Sequence, residues 1–314
     1  MTPPSTSSTF LPLVTAVAAV IAGVGAVAAA VRTRGSTAVP AAWWAVAACS
    51  ALAVDAWARW SGAVTQPATA GCVRLCVAAL AVCPAMSLLG AKRPQHGVWQ
   101  LIVATLAAVV ALPAASAWLV RPGSMPDAHL LGRGFLLVLT IVGWLNFVAT
   151  GHGLSATAIA AGQLAVVRPF LPGVDTAGAL PQPLLDAAGA VLIAAGATAV
   201  WLRGAMARRP RVSAPTVAAT IDRPFLVLRD TLGAAWALRI AERFDTVATE
   251  RGWPCRLHFT GLDVGGDPTD ATWHRDALRA FRALMRRFVD DAWLLRHGWP
   301  ETDEPAMAPS AEGL

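Results

Sequence analysis

The sequence has little charge where it is most hydrophobic, and this shortage is its most informative property. Residues 10–31 contain no ionisable side chain, and a run of that length can cross a hydrocarbon layer of about 30 Å as a helix. Hydrophobic residues make up 56% of the chain, and the mean hydropathy is +0.54. Both values are high for a soluble domain. We therefore interpret the first two-thirds of the chain as embedded in a lipid bilayer.

Other scarcities narrow the class further. Tyrosine is absent, Lys92 is the only lysine, and arginine and alanine are abundant, which is typical of a GC-rich bacterial genome. The five cysteines do not suggest a disulfide framework. Cys72, Cys76 and Cys83 fall on one side of a helix but have no further ligands nearby, so we interpret them as small apolar residues. The expected location is a bacterial cytoplasmic (inner) membrane.

Seven apolar segments, separated by Pro, Gly and Arg, predict an all-α polytopic membrane bundle of about seven spans after a short tail at 1–9. The bundle is predicted at 10–204, with spans near 10–31, 41–60, 72–91, 98–120, 132–150, 154–171 and 184–204. The sixth segment is short, carries Gln163 and reaches Arg168 before Pro169. A re-entrant or interfacial segment is the alternative there.

Small residues dominate the first and last spans, which predicts that these helices pack closely. Basic residues predict the orientation, because cytoplasmic loops are enriched in Lys and Arg. Seven spans with the amino terminus outside and the carboxy terminus cytoplasmic give the inner side the larger basic set: Arg32, Arg34, Lys92, Arg93, Arg203, Arg208, Arg209 and Arg211. The outer side receives the smaller set: Arg59, Arg74, Arg121, Arg133 and Arg168. The amino terminus lacks the positive region of a cleaved signal peptide, so we expect the first span to be retained.

Beyond the bundle, residues 205–221 are predicted to be a linker and residues 222–300 a small cytoplasmic domain. The domain is expected to be α+β or mostly helical, in the order helix–strand–helix. Residues 301–314 are acidic and rich in Pro and Ala, which predicts a disordered tail.

Three patterns define the predicted elements of this domain. Asp222 followed by Pro224 indicates a helix start, and the apolar periodicity continues to about Glu250. Residues 255–262 alternate like a strand, and a second helix follows from about 272 to 296. Because a lone strand leaves backbone groups unpaired on both edges, we expect the domain to complete itself against another copy, a partner subunit or the membrane surface.

Polar groups inside the predicted spans are few. Asp55 and Arg59 are one turn apart near a span end, which favours an interfacial ion pair over a functional acid. Asn146 and Gln163 lie on spans joined by a tight turn, so the two amides could meet within a hairpin. For both amides, hydrogen bonding between helices is favoured over contact with a substrate.

The sequence offers no convincing catalytic, metal or cofactor site, which favours a protein that is not an enzyme. His96 and His152 are the residues that a haem or metal would need, but both lie next to Gly or Pro in predicted loops, so this ligation is not expected. His129 and Ser155 lie at opposite ends of one span, about 30 Å apart by helical rise, which is too far for a Ser–His catalytic pair.

A basic stripe is the last candidate binding feature. It lies on the second helix of the carboxy-terminal domain and consists of Arg275, Arg279, Arg282 and Arg286. The stripe is interpreted as a solvated face, with docking on anionic lipid headgroups or a partner as the alternative. The pI near 9.9 reflects loops that flank the membrane, so nucleic acid is not an expected partner.

Two functions remain open from the sequence. The favoured one is a non-catalytic integral membrane subunit or scaffold, with a protein partner or a second copy bound to the bundle and the cytoplasmic domain. The alternative is a transporter or channel for an uncharged or lipid-like solute, for which Asn146, Gln163 and Asp55 would supply polar contacts.

Overall fold

The structure is a computed structural model that describes residues 6–92, 96–171, 180–206, 216–265 and 272–300. The chain divides into two compact units, and each is contributed by several stretches of sequence. Unit 1 comprises Met1–Arg32, Ala38–Ala91 and Gln95–Arg208, and unit 2 comprises Thr33–Thr37, Lys92–Pro94 and Arg209–Leu314. The predicted tail at 301–314 lies outside the described residues.

The secondary-structure elements in the described part of unit 1 are all helices. Its helices are α1 (Thr6–Arg32), α2 (Val39–Trp60), α3 (Pro67–Ala81), α4 (Cys83–Leu89), α5 (His96–Leu119), α6 (Leu130–Val148), α7 (Gly153–Val167), which a 3-10 turn (Arg168–Phe170) extends, and α8 (Gln182–Met206). Among the described residues, six helical segments are long and apolar enough to cross a membrane, with α3 and α4 counted together as Pro67–Leu89. This agrees with the predicted multi-pass membrane protein; α7 alone falls below the length required.

The third predicted span is broken, although the sequence analysis treats 72–91 as one helix. Helix α3 begins at Pro67 and ends at Ala81, and α4 begins at Cys83 with Pro84 in its first turn. Proline lacks a backbone N–H and clashes with the preceding turn, so it ends one helix and starts the next.

Contacts at one end of unit 1 bring together the carboxy-terminal ends of α1 and α8. The Arg32 guanidinium donates to the carbonyl of Trp201, 3.1 Å away, and also lies over the Trp201 ring. Arg203 donates to the carbonyl of Gly151, in the connection between α6 and α7. We call this end of unit 1 the Arg203 end.

Contacts at the opposite end, which we call the Asp186 end, show where α7 finishes. The Gln182 side chain, in the first turn of α8, donates to the carbonyl of Ala165 near the end of α7, 3.2 Å away. Helix α7 therefore runs antiparallel to α8, from the Arg203 end to the Asp186 end. Its 15 residues rise about 22 Å, and the 3-10 turn adds about 6 Å.

Small residues bring α1, α7 and α8 close together, as the sequence predicts for the first and last spans. A Cβ atom placed on Gly25 would lie 3.1 Å from the Cβ of Ala197. A Cβ atom on Gly189 would lie 2.8 Å from the carbonyl oxygen of Gly162. These helices can approach this closely only because the side chains at the contact are small.

The described residues of unit 2 form four helices and a two-stranded sheet: α9 (Val217–Leu232), α10 (Ala234–Arg251), β1 (Cys255–His258), β2 (Gly261–Val264), α11 (His274–Met285) and α12 (Asp291–Arg296). The prediction of one helix from 222 to about 250 is wrong, because Gly233 adopts φ 89° and separates α9 from α10. The predicted cap is also wrong. The Thr216 hydroxyl accepts the Ala219 N–H and caps a helix that begins five residues before Asp222.

The predicted lone strand is instead a hairpin. Strands β1 and β2 pair antiparallel, with Leu257 opposite Leu262. The Leu257 N–H donates to the Asp245 carboxylate at 2.7 Å, and the Leu262 N–H donates to the Asp222 carboxylate at 2.6 Å. Each strand thus has an acidic acceptor on its outer edge, which removes the main reason for expecting completion by another molecule.

The second predicted helix, 272–296, is divided into α11 and α12, and the segment between them pairs with the connection between α1 and α2. Ser36 forms an antiparallel bridge with Val289. The Thr37 N–H donates to the Phe288 carbonyl, and the Asp290 N–H donates to the Gly35 carbonyl, both at 2.8 Å. Unit 2 is therefore partly completed by residues 33–37 of the same chain.

Candidate functional site

Four charged side chains form a cluster near the Asp186 end of unit 1. We call Asp55 and Arg59 of α2, Arg74 of α3 and Asp186 of α8 the charge cluster. Arg59 contacts Asp55 at 2.6 Å and Asp186 at 2.9 Å, and Arg74 contacts Asp186 at 2.5 Å. Asp55 and Asp186 are each only 3% exposed. The predicted Asp55–Arg59 pair is thus present, but it is one part of a larger network.

A glutamine extends the charge cluster to a fourth helix. The Gln182 amide donates to Asp186 Oδ1 at 2.8 Å and to the carbonyl of Ala165 on α7. Asp186 is therefore bound through both carboxylate oxygens, by two arginines on one and by Gln182 on the other. The network connects α2, α3, α7 and α8.

The charge cluster is electrically balanced, since two carboxylates face two guanidinium groups. A set of charges in a low-dielectric interior is stable only while each charge keeps its partner and its hydrogen bonds. Each carboxylate of the cluster contacts at least one arginine, so neither is left unpaired to bind an external cation. The arrangement holds helices in register, which is a structural role.

The two intramembrane amides of the sequence analysis have different surroundings. Gln163 on α7 donates to the carbonyl of Ala81 at 2.9 Å. Ala81 is the last residue of α3, where the helix leaves its terminal carbonyl groups without intrahelical donors. Gln163 thus binds the break between α3 and α4, in agreement with helix–helix hydrogen bonding. Asn146 lies half-buried on α6.

The histidines of the sequence analysis lie at helix starts. His152 immediately precedes α7, and the exposed His129 immediately precedes α6. His96 begins α5, and its side chain lies outside what the structure describes. Within the described ranges, no three His, Cys, Asp or Glu side chains are arranged to hold a metal ion.

The predicted basic stripe in unit 2 is divided in its contacts. Arg282 and Arg286 both donate to Asp291, at 3.1 and 2.8 Å, and so connect α11 to the first turn of α12. These hydrogen bonds hold the pKa of Asp291 below its usual value, and the bond from Arg286 has the larger effect. Arg275 and Arg279 are exposed, and Arg279 lies 3.9 Å from the Asp276 carboxylate.

Two further ionisable groups of unit 2, the half-buried Asp222 and the buried Cys255, have shifted pKa values. Burial raises the pKa of Asp222, and the hydrogen bond from Leu262 partly opposes that shift. Burial, and then the nearby Asp245, raise the pKa of the Cys255 thiol to about 11. A thiol with so high a pKa is mostly protonated at neutral pH and is a poor nucleophile.

A groove lies between α3 and α5, with a volume of about 570 Å³. Small side chains make up most of its walls: Ala68, Cys72 and Cys76 from α3, and Ala108, Ala111 and Ala115 from α5. Gly123 and Ser124, in the turn after α5, line one end of it. The sequence analysis did not predict this groove, although small residues recur on one face of both helices.

Three residues of this network are not predicted as site residues from the sequence: Arg74 and Asp186 of the charge cluster, and Gln182, which binds Asp186. Arg74 and Asp186 are 112 residues apart, and Arg59 and Asp186 are 127 residues apart. The one usable signal was their position, because all of them lie near predicted span ends on the same side. Matching opposite charges at one depth would have suggested the network.

Comparison of the chain with protein-family models, with curated proteins and with solved structures finds no match. The fold and the charge cluster therefore define only a structural class. It is a bundle of apolar helices with a balanced charge cluster, joined in one chain to a small α+β unit.

Proposed function

We propose that this chain is a non-catalytic integral subunit or scaffold of a bacterial cytoplasmic membrane. Its bundle and its carboxy-terminal domain would bind other proteins. The charge cluster is the observation that supports this proposal most, since each of its carboxylates contacts an arginine of the same chain. Ion-coupled transporters and channels instead present ionisable groups to a path through the membrane.

The proposed orientation places the amino terminus outside and the carboxy terminus in the cytoplasm. Three arginines support it, because Arg32 and Arg203 lie at the Arg203 end of unit 1 and Arg34 follows Arg32 in the next connection. A cytoplasmic Arg203 end agrees with the enrichment of basic residues on that side of membranes. Docking of Arg275 and Arg279 on anionic lipid headgroups would then be possible on the same side.

Unit 2 is the proposed site of protein binding outside the bilayer. Its core is well packed, with Phe225, Phe244 and Phe281 completely buried. Against that background, Leu238 on α10 and Leu295 on α12 are 54% and 45% exposed. Exposed leucines on an otherwise polar surface are the groups that a protein partner would cover.

The test is purification of the tagged full-length protein from its native membranes in a mild detergent. Stoichiometric co-purifying subunits are expected, and Leu238→Ser with Leu295→Ser should reduce their yield at least fivefold while the protein itself stays folded. Glu242→Ser, an exposed change on the same helix as Leu238, is the matched control. A lone protomer in every mild detergent would contradict the proposal.

A transporter or channel for a lipid-like solute is the second candidate, and the groove between α3 and α5 favours it. An apolar groove of that volume suits an uncharged chain better than an ion. Reconstituted protein that accelerates movement of a fluorescent lipid across a liposome bilayer, with no partner present, would support this function over the first.

A further inference from the structure

The groove between α3 and α5 is a feature of unit 1 that the charge cluster does not explain. Helix α3 presents Cys72 and Cys76 to it, and α5 presents Ala108 and Ala115. The exposed Trp118 stands at its edge near the end of α5. The groove is therefore apolar along its length, and it opens on the outside of the bundle.

The volume of the groove limits what can fill it. A helix with its side chains is about 10–12 Å wide, so about ten residues of it occupy on the order of 1,200 Å³. Because the groove opens on the outside of the bundle, its volume of about 570 Å³ could receive side chains of a neighbouring helix but could not enclose the helix itself. A single acyl chain is much thinner than a helix and needs only apolar walls, which the small residues provide.

Charge at one end of the groove narrows the choice further. Arg121 belongs to the turn that supplies Gly123 and Ser124 to the groove. Its side chain is exposed, and within the described part of the chain the guanidinium has no ion-pair partner. Asp127, the next acidic residue along the chain, contacts Arg133 instead. The turn at this end of the groove therefore carries an exposed cation to which a lipid phosphate can pair.

We infer that the groove holds one acyl chain of an anionic glycerophospholipid, and that the lipid phosphate pairs with Arg121. Apolar contact along α3 and α5 retains the chain, and the phosphate accepts a charge-assisted hydrogen bond from Arg121. A headgroup that also carries an ammonium would bring a second positive charge close to Arg121, so a headgroup with net negative charge is preferred. This inference goes beyond the proposed function, because a lipid bound here is compatible with any protein partner.

The test is native mass spectrometry of the full-length protein in mild detergent. Phosphatidylglycerol or phosphatidylethanolamine is added, and the number of lipid molecules that stay bound to each chain is measured. One phosphatidylglycerol per chain should be retained preferentially. Ala115→Phe fills the groove and should lower its retention about tenfold, whereas Val109→Phe, at an exposed position on the same helix, should not. Arg121→Gln should remove the preference, a change of about tenfold for one lost charge-assisted hydrogen bond. Arg121→Lys should keep most of it.

A photoactivatable phosphatidylglycerol, with its reactive group in the acyl chain, locates the lipid in the wild-type protein and does not depend on any variant folding. Labelled peptides covering residues 68–76 and 108–118 are expected. Labelling spread evenly over α1, α6 and α8, equal retention of both lipids by the wild type, or a protein partner cross-linked into the groove would each overturn the inference.

Discussion

At the scale of single residues, Asp186 connects three helices of the bundle. It accepts hydrogen bonds from Arg59 on α2, from Arg74 on α3 and from Gln182 on its own helix, α8. The i, i+4 spacing of Asp55 and Arg59 made that pair predictable from the sequence. The remaining cluster members could not be assigned, because no local pattern relates residues more than a hundred positions apart.

Asp186→Asn should destabilise the bundle strongly, because it leaves two half-buried arginines, Arg59 and Arg74, with one carboxylate. Breaking a buried ion pair from one side typically lowers the free energy of unfolding by about 3–5 kcal/mol. Thermal unfolding of the purified protein in detergent measures the change. Asp127→Asn is the control: its side chain is 79% exposed, so its pair with Arg133 should contribute less than about 1 kcal/mol.

Removing a charge of opposite sign provides a second check on the same cluster. Asp186→Asn combined with Arg74→Gln restores the balance of charge, so the double variant should be more stable than Asp186→Asn alone. A double variant whose loss equals the sum of the two single losses would show that the charges do not interact.

His297 should make unit 2 sensitive to acid. Its ring stacks on Trp293 with centroids 3.9 Å apart, and burial is the main reason that its pKa is lowered from 6.5. The folded state therefore binds fewer protons than the unfolded state. The stability that this histidine contributes is complete above pH 6.5 and is lost as the pH falls through 6.5 towards the lowered folded value.

The measurement is the melting temperature of the full-length protein between pH 8 and pH 5. Wild type should lose more stability on acidification than His297→Gln, which cannot be protonated in this range. Parallel curves for the two proteins would mean that another group controls the acid response.

At the scale of elements, apolar run length was enough to predict the helices of the bundle, but breaks within periodic segments were not predictable. The apolar periodicity of α9 continues into α10, so the pattern alone gave one helix. Only the backbone at Gly233, with φ 89°, shows the interruption. The hairpin was missed because its turn, Phe259-Thr260, carries none of the Asn-Gly or Asp-Gly signals that mark two-residue turns.

Because α7 and α8 lie close together, a change from Gly to Ala should have opposite effects on stability at two positions of the bundle. Gly189→Ala would place a Cβ atom 2.8 Å from the Gly162 carbonyl oxygen, so it should push the helices apart and destabilise the bundle. Gly132→Ala on α6 has nothing within 4 Å of the added atom. That change should stabilise the protein by up to about 1 kcal/mol, through helix propensity.

The same thermal unfolding experiment in detergent compares the two variants. A destabilised Gly189→Ala beside an unchanged or stabilised Gly132→Ala is the expected result. Equal effects of both substitutions would mean that α7 and α8 are not in close contact in the folded protein.

At the scale of the whole molecule, the connectivity of unit 2 constrains the number of crossings. Residues 33–37 pair with 288–290 inside unit 2, so both segments must lie on one side of any membrane that the bundle crosses. Between them the described chain passes through α2, α3 with α4, α5, α6, α7 and α8. Two segments on the same side of a membrane are separated by an even number of crossings, and these helices give six only if α7 also crosses. With α1, which precedes residues 33–37, the total is then seven crossings rather than six.

Labelling of single cysteines in intact cells tests this count. In a variant without the native cysteines, Ser36→Cys and Thr216→Cys should react only after the membrane is permeabilised. Gly62→Cys and Gly123→Cys, which follow α2 and α5, should react from outside. Opposite behaviour of Ser36→Cys and Thr216→Cys would mean that α7 does not cross.

The pairing of residues 33–37 with residues 288–290 also has a consequence for biosynthesis. Arg34 and Arg296, which are in hydrogen-bond contact, are 262 positions apart. The chain must therefore be synthesised at least as far as Val289 before residues 33–37 can take their place in unit 2. Unit 2 cannot be excised as one continuous piece, and a stop before Val289 would leave Ser36 without its bridge partner.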